Sequence, residues 1–172
     1  MTVFDASVLV NALVVGGPDG DETRKVLRDR SVLPVPSIFV AEATSAIRSM
    51  LARGEVSSGL VCGAVTKIKI VRTVQYPIEP FVDRVWKLPD NLSMYDGWYV
   101  ALAESLETNL VTADHRLAKA SGPRYSVLEV AQFAARSSGS PARAAVPERS
   151  PLPVAPFVTH RCDRAKLTRA AG

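Results

Sequence analysis

Short runs of β-forming apolar residues alternate with helix-like segments along the first 130 positions of this chain. The runs suited to strands occupy positions 2–4, 32–35, 70–74, 110–112 and 125–128. Strands separated by helices cannot be joined by tight hairpins, so they pair in parallel and need helices on both faces of the sheet. The alternation therefore predicts an α/β fold, a three-layer α/β/α sandwich with a central, mostly parallel sheet.

Helical periodicity and end signals place the helices between these strands. Ser37 is a candidate cap for a long helix, and Ser57 or Ser58 for the next one. The Gly-rich segment 16–20 is predicted to be a loop. The helices are expected at 7–14, 21–30, 38–52, 57–67, 79–88, 93–107 and 114–120.

The chain changes character after residue 136. The last 36 of its 172 residues hold five prolines and four serines with a single aromatic residue, Phe157. Such a segment cannot bury enough apolar surface to offset its ordering entropy. We therefore expect a folded domain over residues 1–136 and a disordered Pro/Ser/Ala/Arg-rich basic tail over residues 137–172.

The positive net charge of the chain lies entirely in that tail. The sequence has 21 Lys and Arg against 17 Asp and Glu, a formal charge of +4, and residues 137–172 hold six basic and two acidic groups. The body is neutral, so its charge balance does not by itself indicate nucleic-acid binding. The tail either makes unspecific contacts with RNA phosphates or is an extension without a function.

Cysteine usage and hydropathy indicate the compartment. Cys62 and Cys162 are too few for a disulfide framework, which favours the reducing cytoplasm. No apolar stretch reaches the ~18 residues of a membrane span, and no basic segment precedes the apolar N-terminus. We expect no membrane segment and no signal peptide.

Four acidic residues lie beside strongly apolar segments, where carboxylates are poorly hydrated. Asp5 and Asp114 follow predicted strands, at the carboxyl ends where open parallel sheets bind ligands. Glu42 and Asp96 lie near the starts of apolar helices. Crowded carboxylates raise one another's pKa, and a bound divalent cation with a preference for oxygen ligands relieves that repulsion. The pattern indicates a candidate metal site.

Each aspartate also has a purely structural explanation. Asp5 and Asp114 could be helix N-caps, and Asp96 could form a capping box with Ser93. Glu42 is harder to explain, because no Lys or Arg lies three or four positions from it. Without a metal or another ligand, Glu42 would need a distant ion-pair partner.

The segments that carry the four acids resemble the acidic motifs of PIN domains, in the same order and at similar spacing. They are similar above all to the VapC toxins of bacterial VapBC toxin–antitoxin modules, over roughly residues 2–133. Gly97 departs from the pattern, since a small helix former such as Ala often stands there. The segments read VFDASVLV (3–10), PSIFVAE (36–42), LSMYDGWYVALA (92–103) and LVTADHRLA (110–118).

The resemblance implies a metal-dependent endoribonuclease that is the toxin of a type II toxin–antitoxin system. It carries over Asp5, Glu42, Asp96 and Asp114 as the catalytic and metal-binding set. Mg²⁺ or Mn²⁺ would activate a water for attack on an RNA phosphodiester and neutralise the charge that develops. It also implies a cognate VapB-like antitoxin, a homodimer and a cytoplasmic location.

Supporting residues and alternative functions follow from the same motifs. Ser7, Thr112 and Arg116 are candidates for binding a metal-bound water or a phosphate, although Thr112 could be an ordinary strand residue. Trp98 and Tyr99 are predicted to be core residues because of their helical spacing. A PIN nuclease of RNA processing or DNA repair without an antitoxin, and a PIN-like binding module without catalysis, stay open as alternatives.

Overall fold

The computed structural model describes residues 1–28 and 30–137, so the predicted tail lies outside the described residues apart from Ser137. Five strands alternate with helices, as the sequence predicts. The strands are β1 (Val3–Phe4), β2 (Leu33–Pro36), β3 (Thr73–Tyr76), β4 (Leu110–Thr112) and β5 (Val127–Glu129). The helices are α1 (Ala6–Val14), α2 (Gly17–Arg28), α3 (Phe39–Ala52), α4 (Ser58–Ile68), α5 (Val82–Trp86), α6 (Met94–Ser105), α7 (His115–Ala118) and α8 (Val130–Ser137), with a 3₁₀ turn at Glu79–Phe81.

Every strand pair in this part of the chain is parallel, which confirms the α/β fold with flanking helices. The strands form two sheets rather than one continuous sheet: β1-β4-β5 in that order, and β2-β3. In the first sheet Phe4 lies opposite Val111, and Val111 lies opposite Leu128. This register brings the carboxyl ends of β1 and β4 together.

The core is built around β1 and β4, whose residues are almost completely buried. Strands covered on both faces are expected to be largely apolar, and Thr112 at the end of β4 is the one polar residue in these two strands. Phe4 of β1 packs edge to face against Phe133 of α8, with ring centroids 5.8 Å apart. Within the described part of the chain, no helix combines the length and the apolar character needed to cross a bilayer.

Several element boundaries differ from the predicted ones. Strand β3 begins three residues late, because Ile70 still belongs to the turn that ends α4 and is 74% exposed. Helix α2 begins four residues early, at Gly17. Pro18 is tolerated there because an N–H in the first turn of a helix would have no helical partner, so its absence costs nothing. The sequence reading also missed α8, which buries Val130 and Phe133.

The predicted helix caps have mixed outcomes. Ser57 caps α4 by accepting the N–H of Leu60, as expected. Ser37 was a wrong choice, because the N-cap of α3 is Ile38, which makes no side-chain capping bond. The helix expected at 79–88 is a 3₁₀ turn followed by the shorter α5.

Gly97 is explained by the packing of α5 against α6. A Cβ atom at Gly97 would lie 2.8 Å from Cγ1 of Val85 and 3.3 Å from Cδ1 of Leu88. The missing side chain therefore lets α5 approach the first turns of α6, which carry Asp96. The departure from the usual motif residue reflects this close approach rather than a weak helix.

Candidate active site

Asp5 lies where β1 ends and α1 begins, and its side chain is buried. Its backbone N–H donates to the carbonyl of Val111, 2.9 Å away, so the first sheet fixes its position. The hydroxyls of Ser7 and Thr112 both donate to Oδ2 of Asp5, the latter at 2.9 Å. Although Asp5 occupies the N-cap position of α1, its side chain makes no capping bond. The simple N-cap interpretation of Asp5 is therefore wrong.

The same two hydroxyls also anchor the segment that follows β4. Ser7 Oγ accepts the N–H of Ala113 at 3.0 Å, and Thr112 Oγ1 accepts the N–H of Asp114 at 3.0 Å. Thr112 is completely buried, and the two hydroxyl oxygens are 3.3 Å apart. Both side chains thus connect Asp5 to the loop that carries Asp114.

Glu42 lies in the first turn of α3, directly after β2, and is partly buried. Oε2 of Glu42 accepts a hydrogen bond from the hydroxyl of Tyr99, 2.7 Å away. Tyr99 is fully buried, which confirms it as a core residue. Its hydroxyl, however, reaches the acidic site, and the sequence reading did not anticipate this.

Asp96 lies in the first turn of α6 and forms the expected capping box with the N-cap residue Ser93. Its carboxylate accepts from the hydroxyl of Ser93 at 2.7 Å and from the backbone N–H of Ser93, while Ser93 Oγ accepts the N–H of Asp96. The capping role is therefore real. A carboxylate has about four lone-pair sites, so Oδ1 can serve a ligand while Oδ2 holds the cap.

The negative charge of Asp96 acts on both Asp5 and Glu42, and that of Asp5 acts on Glu42. Burial and the charge of Asp96 raise the pKa of Asp5, and together they outweigh the hydrogen bonds from Ser7 and Thr112, which lower it. Burial also raises the pKa of Glu42, with added contributions from the charges of Asp5 and Asp96. Among the residues that the structure describes, no basic side chain forms an ion pair with any of the three.

Asp114 is in a different electrostatic environment. It caps α7 by accepting the N–H of Arg116 at 2.7 Å, so the cap interpretation holds here. The Arg116 guanidinium lies 3.3 Å from the other carboxylate oxygen. Burial raises the pKa of Asp114, but the hydrogen bonds and charge of Arg116 outweigh it and leave that pKa below its usual value. The neighbouring His115 pairs instead with Glu129 at 2.8 Å.

The donor chemistry of the three mutually repelling acids suits a hard divalent cation. In residues 1–28 and 30–137, however, no three His, Cys, Asp or Glu side chains are grouped so that they could hold a metal ion together. Mg²⁺ keeps several waters and is usually bound through one or two carboxylates together with substrate phosphates. The carboxylates present fit such an open site rather than a closed protein cage.

Sequence reasoning identified the acids but missed two contacts. The first is the hydrogen bond from Tyr99 to Glu42, for which the signal was the three-residue spacing of Asp96 and Tyr99 on one helix face. The second is the pairing of Arg116 with Asp114, which places a basic group at one edge of the site. That pair was recognisable as a capping Asp followed two positions later by an Arg.

Comparison with known proteins identifies relatives over the same region. The PIN domain family matches residues 2–123. Ribonuclease VapC9 of Mycobacterium tuberculosis is 35% identical over 117 residues, 68% of this chain and 88% of that protein. Ribonuclease VapC12 of the same organism is 35% identical over 133 residues, 76% of this chain and all of that protein. The crystal structure of PAE2754 from Pyrobaculum aerophilum shares the fold at 20% identity, with a TM-score of 0.60 over 81% of this chain and 90% of that one.

Proposed function

The chain belongs to the PIN domain family, as a VapC-type ribonuclease toxin of a type II toxin–antitoxin system, and we propose that Asp5, Glu42, Asp96 and Asp114 form its active site. The proposed reaction is hydrolysis of an RNA phosphodiester with Mg²⁺ or Mn²⁺. The substrate is RNA, and the inhibitory partner is a VapB-like antitoxin.

The observation that carries this proposal is the convergence of Asp5, Glu42 and Asp96 from three separate elements. A strand end, the start of α3 and the start of α6 carry three carboxylates, and the charge of Asp96 raises the pKa of both Asp5 and Glu42. Burying charge without a counterion is costly, and the described residues supply no basic partner. A divalent cation bound near these carboxylates would remove that cost by supplying the missing positive charge.

Each side chain has a defined task in the proposed site. The hydroxyls of Ser7 and Thr112 hold the Asp5 carboxylate in one orientation. Asp96 is held by its capping box, and Glu42 by Tyr99. A cation bound there would lower the pKa of a water and neutralise charge on the phosphate during in-line displacement.

Arg116 is the candidate phosphate contact. Its side chain is 93% exposed and is already drawn toward the site by Asp114. A guanidinium can bind a phosphate through two parallel hydrogen bonds. When RNA enters, Arg116 can exchange the carboxylate of Asp114 for a phosphate oxygen, which frees Asp114 to face the cation.

Cleavage assays with purified protein test the reaction. We expect cleavage of RNA in MgCl₂ or MnCl₂ and none in excess EDTA. Asp5→Ala and Asp96→Ala should each abolish cleavage with the fold retained by circular dichroism, whereas Asp83→Asn at an exposed carboxylate of α5 should cleave like the wild type. Unchanged cleavage in EDTA or in both alanine variants would contradict the metal mechanism. Saturable RNA binding without turnover would support the binding-module alternative.

The biological assignment needs a separate experiment in cells. Expression of the chain in the cytoplasm should arrest growth, and co-expression of a small DNA-binding protein encoded directly upstream should restore it. Normal growth during expression of an RNA-cleaving protein would favour a processing or repair nuclease. Sedimentation equilibrium of the purified chain tests the expected homodimer.

A further inference from the structure

Tyr99 links two of the proposed active-site elements through one hydroxyl group. Its aromatic ring is completely excluded from solvent within the core. The hydroxyl at the end of this ring donates to Oε2 of Glu42, 2.7 Å away. A rigid, buried side chain therefore ends on the flexible carboxylate of a glutamate.

Helix geometry extends this link to Asp96. Tyr99 lies three residues after Asp96, so the two side chains project from neighbouring turns of α6 on one face. Glu42 from α3 is thus connected, through the Tyr99 hydroxyl, to the helix that carries Asp96.

We propose that Tyr99 is a positioning residue, whose hydroxyl fixes the orientation of the Glu42 carboxylate at an open divalent-cation site beside Asp5 and Asp96. The inference rests on the proposed function, because it assigns Tyr99 a task in the same site. Tyr99 is not expected to touch RNA or the cation.

Core packing alone does not account for this hydroxyl. A phenylalanine would fill the same ring volume without bringing a polar atom into the interior, where it needs a partner. Burial and the neighbouring carboxylates raise the pKa of Tyr99, so the group remains a protonated donor. Without the hydroxyl, the glutamate would regain rotamer freedom that metal binding must then remove.

Calorimetric titration of the full-length chain with Mn²⁺ tests the proposal directly. Tyr99→Phe should weaken Mn²⁺ binding by about 10-fold, as is typical when a hydrogen-bond partner of a metal ligand is removed. Its melting temperature in EDTA should stay close to that of the wild type. Tyr95→Phe is the matched control, because it removes a hydroxyl from an exposed tyrosine on the same helix, and its Mn²⁺ affinity should equal that of the wild type.

A second background separates positioning from a general effect on the fold. Glu42→Asp keeps a carboxylate but draws it one methylene away from the hydroxyl. In that background Tyr99→Phe should cause no further loss of Mn²⁺ affinity. Equal losses in both backgrounds, or wild-type affinity for Tyr99→Phe, would overturn the inference.

The same titrations distinguish a failure of the metal site from a failure of the role assigned to Tyr99. If the wild type binds no Mn²⁺ at millimolar concentration, the metal site itself is wrong, and the role of Tyr99 falls with it. If the wild type binds Mn²⁺ and Tyr99→Phe binds it equally well, the metal site stands and only the positioning role is wrong.

Discussion

Thr112 donates its hydroxyl to the carboxylate of Asp5 at 2.9 Å, although 107 positions separate the two residues in the sequence. The same oxygen accepts the N–H of Asp114 at 3.0 Å. One hydroxyl therefore joins the acid after β1 to the loop after β4. The geometry of the first sheet is transmitted to the site through this contact.

Replacing Thr112 by valine removes that hydroxyl and preserves the shape of the side chain. The variant would leave the buried carboxylate of Asp5 with one donor fewer and the N–H of Asp114 without its acceptor, at a cost of about 2 kcal/mol in the free energy of unfolding. RNA cleavage should fall by roughly 10- to 100-fold. Urea denaturation and initial-rate cleavage assays measure the two effects.

Thr112→Ser is the control for this prediction, because it restores the hydroxyl and lacks only a methyl group. It should recover most of the cleavage rate. If valine and serine variants cleave equally well, the hydroxyl has no part in arranging Asp5.

Asp5 should make the metal-free protein less stable as the pH rises. The pKa of Asp5 in the folded protein is raised above its ordinary value of 3.8. The stability that the protonated form contributes is therefore fully present below pH 3.8 and is lost as the pH rises through the raised pKa. Asp5→Asn removes this loss and should be more stable than the wild type in EDTA at pH 8, by about 1 kcal/mol.

The advantage of Asp5→Asn should shrink as the pH is lowered toward 4, where the aspartate itself is increasingly protonated. Urea denaturation in EDTA at several pH values gives the comparison. A variant that is less stable than the wild type at pH 8 would show that the carboxylate is better compensated than its surroundings suggest.

Mn²⁺ should stabilise the wild type by binding only the folded state. At a free concentration of 100 times the dissociation constant, the stabilisation is about 2.7 kcal/mol. For a chain of this size, that corresponds to a rise of roughly 5–10 °C in melting temperature. Asp5→Asn and Asp96→Asn should show little of this rise, and equal rises in all three proteins would place the ion elsewhere.

Gly97→Ala sets helix propensity against packing. Alanine favours the helix by roughly 1 kcal/mol, but its Cβ would lie 2.8 Å from Cγ1 of Val85, and overpacking of this kind costs about 1–3 kcal/mol. We expect a net loss of stability in thermal unfolding. The double variant Gly97→Ala/Val85→Ala relieves the contact and should lose less than the two single variants added together.

The ion pair between Arg84 and Glu104 should support the fold without serving the site. Glu104 has a side chain only 7% exposed, receives two hydrogen bonds from Arg84 and accepts the N–H of Arg124. Glu104→Ala leaves the guanidinium of Arg84 without its carboxylate partner and should lower the free energy of unfolding by about 2 kcal/mol. Mn²⁺ affinity of the folded variant should match that of the wild type, and a weakened affinity would implicate this pair in the site.

The predictable part of the fold was the part controlled by local apolar pattern. The buried strands β1 and β4 read as continuous apolar runs, and the acids that follow them were recognisable from their position at strand ends. Strand β3 was misplaced because Ile70 and Val71 are as β-prone as the true strand, and only pairing with β2 selects Thr73–Tyr76. Helix α8 was missed because its single buried turn is stabilised by contact with Phe4, which the local sequence does not reveal.

The candidate site shows the same division. Asp5, Glu42, Asp96 and Asp114 were predicted as site residues from residue type and position, and the capping box of Ser93 and Asp96, predicted from its spacing, is confirmed. The hydrogen bond between Tyr99 and Glu42 joins residues 57 positions apart, so it depends on how α3 packs near α6. The spacing of Asp96 and Tyr99 places both residues on one helix face, but only the packing of α3 near α6 brings the Tyr99 hydroxyl to Glu42.

The parallel pairing of β1 with β4 has a consequence for the order of events during synthesis. Residues at the start of the chain form their sheet only with residues made more than a hundred positions later. A nascent chain that ends before Thr112 lacks both the neighbouring strand and one of the hydroxyls that hold Asp5. The proposed site can therefore form only after β4 has been made, near the end of translation of the domain.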